Sequence, residues 1–502
     1  MRRRISIMVR LLAGAMIGLC LLNGATAGTL RLANEGSFRG ADSLDPISPV
    51  RFYIANQMIY SQLVRAGEDG RPAPDLAVAW SSSADARDWT FTLRRGVKFH
   101  DGSDFGAADV VYTLTRINSD KLKSPLRSVL SLIDTVKAVD PYTVGIHLKT
   151  PYADFPLLLM DYRVRILSAA HDSGNTDVAN ASGIGTGPFK LVKLDTLGTT
   201  VLEAFDGYWE GRPKIDRVEI INMPDQQARV QALLAGQLDL VLSINQQQRA
   251  LFEESDGFVV QPVQTGDWRG IAMRTNVPPF ADARVRKALR ILADRSTMVR
   301  LVLGEGGGEV SCDTPAWSGD PYSTVRTCPP DPAEAKRLLA AAGFPNGLDL
   351  TLYTSGVDEV FPRLAEVYQQ QAAAANVRIA IRLVPSDSYF STVWLKREFV
   401  MVRWSQRPAD QILNEAYRTG GPWNESAFAN ARFDDVLTAA RQELDPAKRK
   451  ALYGEAQDIL FDDGGTLIPF HINRLRVMSN RVTGLAPVQD FSIRWQDVSV
   501  AN

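Results

Sequence analysis

The stretch best suited to chemistry is residues 402–410, VRWSQRPAD. It places an aromatic side chain, Trp404, three residues before a guanidinium group, Arg407. A planar guanidinium pairs well with a carboxylate or a phosphate, and each charge-assisted hydrogen bond contributes about 1.5 to 3 kcal/mol. Arg407 therefore indicates one of two things: a ligand with an anionic group, or an internal ion pair with a neighbouring acid such as Asp410 that only shapes the loop.

The histidines give no support for a metal site. They are far apart in the chain, and none has a second histidine at i, i+4 or a neighbouring cluster of cysteines and carboxylates. The full set is His100, His147, His171 and His471. We therefore expect each histidine to be structural, and we expect the protein to hold no metal and no cofactor.

The motifs of common enzyme classes are absent from the sequence. It has no G-x-S-x-G nucleophile elbow, no H-E-x-x-H helix and no Ser-x-x-Lys set with its partner motifs. The glycine-rich run at 184–189, IGTGPF, precedes a lysine. However, it lacks the spacing of a phosphate-binding loop and leads into a predicted strand rather than a helix. We therefore predict no catalytic residue and a protein that is not an enzyme.

The first 27 residues have the pattern of a secretory signal peptide. Arginines at 2–4 form a positive start, an apolar stretch follows at 11–22, and Ala-Thr-Ala at 25–27 has the small residues of a cleavage site. An apolar stretch of this length is too short to span a bilayer, which favours a cleaved signal over an anchor. Cys20 leaves a lipoprotein as a minor alternative, because the leucine before it is bulkier than lipid-modification sites prefer.

Composition and charge narrow the class of protein. The chain has 502 residues, of which 45% are hydrophobic, and this predicts a folded protein of about three domains. Its formal net charge is −1, and removing four N-terminal arginines with the signal would leave −5. Such mild acidity gives no reason to expect nucleic acid or an anionic membrane surface as a partner.

Two cysteines remain after the predicted signal peptide, Cys312 and Cys328. They flank a loop that is rich in proline, glycine and serine. In an oxidising, exported compartment two such cysteines are expected to pair. We therefore predict a single disulfide that braces this loop and carries no chemistry.

The chain is organised around residues 270–292, GIAMRTNVPPFADARVRKALRIL. A strand predicted at 270–276 must stop before the two prolines, which cannot donate ladder hydrogen bonds. Asp282 is a predicted N-cap, and the following helix has one apolar face, formed by positions 285, 288, 289 and 292, while arginines and a lysine fill the rest. The pattern fits either an ordinary strand-to-helix link inside one domain or a crossover from one compact unit to another.

Helices and strands alternate on both sides of this crossover. Before it, Asp225 is a predicted N-cap for a helix that is followed by a strand at 238–242. After it, Asp331 begins a helix with proline and glutamate at the favoured positions, and further strands are predicted at 348–353 and 378–384. This alternation is typical of α/β units.

The most specific motif lies at 75–117. It contains, in order, a tryptophan, WTFTLRRGVKFHDG, and a helix with ADVVYTLTR. This order resembles the signature of the family 5 extracellular solute-binding proteins, the dipeptide, oligopeptide and nickel receptors of ABC importers. The GTGPF turn at 185–189, YWEGRP at 208–213 and MPD at 223–225 follow the family order as well, so the resemblance covers essentially the whole chain after the signal.

The resemblance implies an α/β protein with the type II periplasmic-binding-protein fold, in which two α/β lobes enclose a ligand cleft and an inserted third subdomain is added. The predicted parts are a signal peptide at 1–27, lobe I at 28–45, 165–265 and 476–502, the inserted subdomain II at 46–164, and lobe III at 266–475. The chain would then cross between the two lobes twice.

The resemblance also points to ligand contacts. In family members that take free peptides, a tryptophan at the place of Trp404 is followed three residues on by an aspartate that holds the ligand's α-ammonium. Here that residue is Arg407, and enclosing an ammonium beside it would cost several kcal/mol. We therefore expect an acidic or blocked peptide, an opine-like conjugate or a sugar phosphate rather than a free dipeptide. Topology adds four weaker candidates: Trp268, Asn245, Trp423 and Asn424.

The predicted function is reversible capture of a peptide or peptide-like solute in the periplasm. A monomer would deliver this ligand to the ABC permease at the inner membrane, and the closed form would be the one that the permease recognises. An alternative is a periplasmic binding protein that serves chemoreception or chaperoning rather than uptake, because the same two lobes would suit either role.

Overall fold

The computed structural model describes residues 28–34, 44–47, 53–67, 70–120, 122, 124, 126–173 and 181–501. The predicted signal peptide and Cys20 lie outside the described residues. Within the described part of the chain, no helix combines the length and the apolar character needed to cross a membrane.

The described residues form strands along the whole chain. These are β1 (Thr29–Asn34), β2 (Val64–Ala66), β3 (Pro72–Pro74), β4 (Ala77–Ser82), β5 (Asp88–Leu93), β6 (Ile133–Asp140), β7 (Thr143–Leu148), β8 (Phe189–Lys193), β9 (Thr199–Ala204), β10 (Arg217–Asn222), β11 (Leu240–Ile244), β12 (Phe258–Val263), β13 (Trp268–Met273), β14 (Gly308–Val310), β15 (Leu348–Ser355), β16 (Val377–Val384), β17 (Phe399–Trp404), β18 (Thr466–Ile472), β19 (Arg474–Ser479), β20 (Val482–Thr483) and β21 (Ser499–Val500).

The α-helices of the described residues are mostly short. They are α1 (Tyr53–Ile59), α2 (Ala107–Ile117), α3 (Arg127–Leu130), α4 (Phe155–Leu159), α5 (Ala169–Asp172), α6 (Gln226–Leu234), α7 (Arg249–Glu253), α8 (Ala283–Ile291), α9 (Arg295–Met298), α10 (Pro332–Ala341), α11 (Val360–Ala372), α12 (Tyr389–Thr392), α13 (Ala409–Ala416), α14 (Ala431–Gln442) and α15 (Pro446–Asp463).

Three sheets organise these elements. A seven-stranded sheet has the order β12-β19-β11-β1-β10-β9-β8, and a six-stranded sheet has the order β14-β18-β13-β17-β15-β16. A smaller antiparallel sheet, β4-β5-β7-β6, packs with α2 around a core that includes Phe91, Phe99 and Phe155. We call the units built on these sheets the first lobe, the second lobe and the inserted subdomain. The residue boundaries predicted for them stay a prediction.

Two neighbouring segments connect the lobes. The chain leaves the first lobe after β12, passes through residues 264–267 and enters the second lobe as β13; it returns from β18 through Asn473 to β19. Both segments are hydrogen-bonded to each other, because the Thr265 hydroxyl donates to the Ile472 carbonyl at 2.7 Å and the Ile472 N–H donates to the Asp267 carbonyl at 2.7 Å. Paired connections of this kind are the usual form of a hinge between lobes.

Helix starts agree with the predicted caps. The carboxylates of Asp225, Asp282 and Asp331 accept hydrogen bonds from the N–H groups of Ala228, Arg284 and Glu334, at 2.7, 2.9 and 2.9 Å. The strand predicted at 270–276 is displaced: β13 begins at Trp268 and ends at Met273. It ends there because Thr275 N–H bonds to the Ser426 carbonyl outside the sheet.

The basic side of α8 is less exposed than its sequence suggests. Arg286 and Arg290 are both buried. Arg286 donates to the Asp463 carbonyl at 2.7 Å, and Arg290 donates to the Phe461 carbonyl at 2.7 Å. These carbonyls lie at the end of α15, where the helix dipole favours a positive charge. The two guanidinium groups therefore hold α15 against α8.

The predicted disulfide between Cys312 and Cys328 is present, with Cα atoms 5.7 Å apart. It closes a loop of the second lobe next to Asp313, whose buried carboxylate pairs with Arg295 at 2.9 Å and Arg290 at 3.4 Å. The bond therefore ties the loop to the ion pairs beneath α8, which is the bracing role that the sequence predicts.

Candidate ligand-binding site at the carboxyl ends of the parallel strands

Both lobes turn the carboxyl ends of their parallel strands toward the hinge. In the second lobe, β15 runs parallel to β16 and β17, and the end of β17, Trp404, lies opposite the hinge end of β13, Trp268. In the first lobe, β1 runs parallel to β10 and β11, and the end of β11, Ile244, lies opposite the start of β19, Leu475. Ligands of open α/β sheets bind beyond such carboxyl ends, so the cleft between the lobes is the candidate site.

Trp404 and Trp268 form the floor on the second-lobe side. They are 5% and 1% exposed, and their ring centroids are 6.3 Å apart. A third indole, Trp423, lies with its centroid 5.6 Å from that of Trp404 and is 40% exposed. Of the three tryptophans predicted from the sequence, Trp423 therefore offers the accessible surface, and the other two support it.

Arg407 lies in the segment that joins β17 to α13. It is half-buried and donates to the Gln406 carbonyl at 2.9 Å. No carboxylate of the described residues lies within ion-pair distance of its guanidinium group. The preceding residue fixes the segment to the hinge, because Gln406 N–H donates to Asp267 Oδ1 at 2.8 Å and Gly266 N–H donates to Gln406 Oε1 at 2.7 Å. The guanidinium group of Arg407, which no acid of the described chain pairs with, is thus held at the carboxyl end of β17.

Asp410 does not pair with Arg407, the alternative that the sequence left open. Its carboxylate accepts two hydrogen bonds from Arg441, both at 2.8 Å, and one each from the hydroxyls of Tyr152 and Tyr453, at 3.0 and 2.9 Å. Asp410 is buried, and Tyr152 belongs to the inserted subdomain. This acid therefore joins the second lobe to the subdomain, and it is not a partner of Arg407.

Glu425 is an acid of this site that the sequence did not indicate. It is 5% exposed, and its two oxygens accept hydrogen bonds from the indole N–H groups of Trp404, at 2.9 Å, and Trp394. Burial raises the pKa of Glu425 from 4.5 to about 7, while the two indole bonds lower it. No arginine or lysine of the described chain pairs with it.

More aromatic and basic side chains surround these groups. Phe390 is 40% exposed; its ring lies 6.0 Å from that of Trp394 and 5.2 Å from the guanidinium carbon of Arg403. Arg403 and Arg269 share the carboxylate of Asp358, at 3.6 and 2.7 Å. We refer to Phe390, Trp394, Arg403, Trp404, Arg407, Trp423 and Glu425 as the arginine-tryptophan shelf.

The side chains of the two asparagines predicted as ligand contacts form hydrogen bonds within their own loops. Asn245 Oδ1 accepts from Gln248 N–H at 3.1 Å and caps the short helical turn after β11. Asn424 Nδ2 donates to the Phe428 carbonyl at 2.8 Å, and its Oδ1 accepts from the Phe428 N–H at 3.0 Å. Both stay predicted ligand contacts, and the bonds described give each a bracing role in its loop.

The first lobe has two other side-chain amides, which lie at the carboxyl ends of its parallel strands. Asn34 and Asn222 end β1 and β10 and lie opposite each other in the sheet. Both amide atoms of Asn34, and Oδ1 of Asn222, are buried without a hydrogen-bond partner in the described part of the protein. Buried polar atoms are usually paired, so these three atoms are available to a group that enters the cleft.

Two surface cavities lie away from the shelf. One, of about 200 Å³, is lined by Tyr152, Asp410 and Arg441, and the other, of about 230 Å³, by Gln57, Arg165 and Trp495 among others. Neither contains a residue of the shelf. This is expected when a site consists of two faces that meet only as the lobes close.

Part of this site had a signal in the sequence and part did not. Trp404 stands at the place of a tryptophan in the family that the sequence resembles, and Arg407 stands where that family has an aspartate, whereas Glu425 and Trp394 lie in irregular loops. Trp394 lies between α12 and the start of β17, and the carbonyl of the next residue, Leu395, accepts a hydrogen bond from Arg274 at 2.6 Å, so strand topology gave no clue to its contact with Glu425. The clue to Glu425 was its position next to Trp423 and Asn424.

The buried carboxyl of Glu425 is expected to make stability depend on pH. Its folded pKa of about 7 lies above the unfolded value of 4.5, so the bound proton stabilises the fold at low pH, and this contribution is lost as the pH rises through 7. Relative to the wild type, Glu425→Gln should therefore be about 2 kcal/mol more favourable at pH 8 than at pH 5. Urea unfolding of both proteins at the two pH values checks this, and an equal difference at both would contradict it.

Comparison with known proteins gives a consistent picture. Residues 71–424 match the model described as "Bacterial extracellular solute-binding proteins, family 5 Middle". The glutathione-binding protein GsiB of Pectobacterium atrosepticum is 26% identical over 483 residues, which cover 93% of this chain and 93% of that protein.

Two solved structures share the fold over nearly the full length. HbpA2 from Haemophilus parasuis aligns with a TM-score of 0.84 and 25% identity, covering 95% of this chain and 100% of the other. The binding protein AgaA from A. tumefaciens R10, solved in complex with agropinic acid, aligns with a TM-score of 0.73 and 25% identity, covering 95% and 99%. The predicted architecture of two α/β lobes around a cleft with an inserted subdomain is thereby confirmed.

Proposed function

We propose, because the chain belongs to the bacterial extracellular solute-binding proteins of family 5, that it is the substrate-binding component of an ABC importer. Its ligand would be a peptide or peptide-like solute that carries a carboxylate, and the closed complex would deliver this ligand to a membrane permease. The proposal includes a periplasmic location, removal of the signal at 1–27, a monomeric state and the absence of catalysis.

We infer the ligand class from the burial of Arg407 and from its hydrogen-bond partners. Its guanidinium group is half-buried at the cleft end of β17, and no acid of the described residues pairs with it. The neighbouring acid, Asp410, is fully used by Arg441, Tyr152 and Tyr453. A planar, partly desolvated guanidinium group is suited to a carboxylate that approaches with two oxygens.

The ligands named for two relatives agree with this chemistry. GsiB is named for glutathione, a tripeptide with two carboxylates, and AgaA was solved with agropinic acid, a carboxylic acid. If Arg407 binds a free carboxylate, the ligand of this chain would belong to the same chemical class as these two compounds. The identity of 25 to 26% is too low to transfer either ligand, so we propose the shared class rather than one compound.

The proposed mechanism is closure about the paired hinge. In this mechanism the arginine-tryptophan shelf of the second lobe and the amides of Asn34 and Asn222 in the first lobe would line opposite sides of the cleft in the open form. A ligand that contacts both faces favours the closed arrangement by its differential affinity for that form. Because Gln406 bonds to Gly266 and Asp267, the segment that holds Arg407 is anchored to the hinge itself.

A thermal-shift panel tests the proposed function. Glutathione, acidic dipeptides and an opine acid at 100 times their dissociation constants should each stabilise the protein by about 2.7 kcal/mol. The same ligands with every carboxylate amidated serve as matched controls, because they have no carboxylate left to pair with Arg407. Equal shifts with the acids and their amides would contradict the proposal, as would shifts confined to ligands without a carboxylate.

A further inference from the structure

The larger of the two cavities described above, of about 230 Å³, lies where the first lobe, the inserted subdomain and the C-terminal segment meet. One wall is α1, which packs in the core of the first lobe, and another contains Asp75, which precedes the first strand of the inserted subdomain's sheet. Residues of the stretch 484–497 form a third wall. No residue of the arginine-tryptophan shelf lines the cavity, and neither do Asn34 and Asn222, so it is separate from the candidate site in the cleft.

Three of the five charged side chains that line this cavity have a partner of opposite charge. Arg65 pairs with Glu210 at 3.0 Å, and Arg494 pairs with Asp497 at 2.8 Å. These two pairs leave one guanidinium group and one carboxylate of the wall that form no ion pair in the described chain. The cavity therefore contains one positive and one negative charge that no described residue neutralises by contact.

These two groups are Arg165 and Asp75, and each residue is 6% exposed. Arg165 donates from Nε to the Tyr162 carbonyl at 2.9 Å and from Nη1 to the Tyr60 carbonyl at 3.0 Å, while its Nη2 has no acceptor among the described residues. One carboxylate oxygen of Asp75 accepts the Gln62 N–H at 2.8 Å, and the other accepts no hydrogen bond in the described chain. Buried charges are normally paired, so both groups are suited to an oppositely charged group that enters the cavity.

Both groups are charged at mildly alkaline pH. Burial raises the pKa of Asp75 to about 6, against the opposing effect of Arg65 and Arg165, and burial lowers the pKa of Arg165 to about 10. At pH 8 the carboxyl group of Asp75 is therefore ionised and the guanidinium group of Arg165 is protonated.

Gln57 supplies a further hydrogen-bond donor. Its side chain is 7% exposed, and its Oε1 accepts a hydrogen bond from the indole N–H of Trp495 at 3.4 Å. Its Nε2 is buried and has no partner in the described part of the protein, although buried amide donors are normally paired. Gln57 and Arg165 thus each have a donor that no described residue uses, and two such donors suit the two oxygens of a carboxylate.

The volume of the cavity limits the ligand to a small molecule. Since a water molecule occupies about 30 Å³ in the liquid, 230 Å³ corresponds to roughly seven to eight waters. Pockets for drug-sized ligands measure about 300 to 1,000 Å³. The cavity is therefore suited to a molecule of the size of a single amino acid rather than to a peptide.

We propose that this cavity is a second binding site of the protein and takes a small zwitterion, such as a free α-amino acid. The carboxylate of the zwitterion binds Arg165 and the amide of Gln57, and its ammonium group binds Asp75. One positive and one negative charge in the wall match a ligand that has one charge of each sign. The site lies outside the cleft, so this inference goes beyond the proposed function and does not depend on Arg407.

Calorimetric titration at pH 8 with glycine, L-alanine and L-serine tests the proposal. The wild type and Arg407→Ala should bind at least one of these amino acids with the same Kd, below about 1 mM. The N-acetyl derivative and the amide derivative of that amino acid each lack one of the two charges. Each derivative should therefore bind at least about 10-fold more weakly.

Variants of the cavity wall separate this site from the cleft. Asp75→Asn keeps the shape and an oxygen for the Gln62 N–H but loses the charge, so it should weaken amino-acid binding at least about 10-fold. Gln57→Leu removes only the amide and should weaken binding about 3- to 10-fold. Asp109→Asn is the matched control, because Asp109 is a buried acid of the inserted subdomain outside the cavity, and the Kd should not change. Circular dichroism checks the folding of each variant, and Gln57→Leu decides if Asp75→Asn does not fold.

Three results would overturn the second site. One is the absence of saturable binding for all three amino acids. Another is binding that Arg407→Ala abolishes and the cavity variants leave intact, which would place the amino acid in the cleft and support the proposed function instead. The last is a Kd that Asp75→Asn and Gln57→Leu do not change, or that Asp109→Asn weakens as much as they do. Failure of the carboxylate ligands in the thermal-shift panel would contradict the proposed function alone.

Discussion

Replacing Arg407 with alanine is expected to weaken the binding of a carboxylate-bearing ligand about 100-fold. Two charge-assisted hydrogen bonds in an enclosed cleft would be lost, and a ligand carboxylate left without its partner adds to the cost, giving about 3 kcal/mol in total. Calorimetric titration with glutathione or another active acid from the ligand panel measures this loss. Arg407→Lys keeps the charge but not the planar fork and should be intermediate.

The Arg407→Ala substitution should weaken binding without lowering the stability of the fold. In the described structure Arg407 donates only to the adjacent Gln406 carbonyl, so its removal should change the free energy of unfolding by less than about 0.5 kcal/mol. Arg378→Ala is a matched control, because Arg378 is an exposed arginine on β16 that pairs with Asp349 at 2.8 Å. Unchanged affinity in Arg407→Ala, or an equal loss in the control, would remove Arg407 from the site.

Replacing Asp410 with alanine is expected to lower the free energy of unfolding by about 3 to 5 kcal/mol. The substitution leaves the guanidinium group of Arg441 and the hydroxyls of Tyr152 and Tyr453 without their shared acceptor. These groups come from α14, the inserted subdomain and α15, so three parts of the protein lose a common contact. Urea unfolding followed by circular dichroism measures the change.

An exposed ion pair supplies the control for Asp410. Asp349 also pairs with an arginine through two hydrogen bonds, but both side chains are more than half exposed. Surface pairs of this kind contribute about 0 to 1 kcal/mol, so Asp349→Ala should have little effect. Similar losses in the two variants would show that the buried position of Asp410 does not matter, and Asp410 would then not be the contact that joins the subdomain to the second lobe.

Local chemistry was enough to predict much of the fold. The caps at Asp225, Asp282 and Asp331 depend on side chains that bond within three residues, and α2 includes the whole ADVVYTLTR stretch that was predicted to be helical. The burial of Arg286 was not predictable in this way. Its partner, Asp463, lies 177 residues away, and only the packed structure brings the two together.

The candidate site was also predictable only where the contacts are local in sequence. Arg407 was found because a motif drew attention to its position, and only the structure showed that none of the acids it describes pairs with this guanidinium group. Asp410 is used by Tyr152, which is 258 residues away, so nothing in the sequence excluded a pair with Arg407. Glu425 accepts hydrogen bonds from two tryptophans, one in a loop and one at the end of β17, which are 31 and 21 residues away. Sequence patterns locate strand ends but not the side chains that meet beyond them.

A crystal structure with the tightest-binding acid from the ligand panel would test the role of Arg407 most directly. We expect a ligand enclosed between the lobes, with two carboxylate oxygens about 3 Å from the guanidinium nitrogens of Arg407. We also expect closure about residues 264–267 and Asn473. A ligand whose carboxylate is bound elsewhere, with Arg407 facing solvent or paired with a protein acid, would contradict the proposed site.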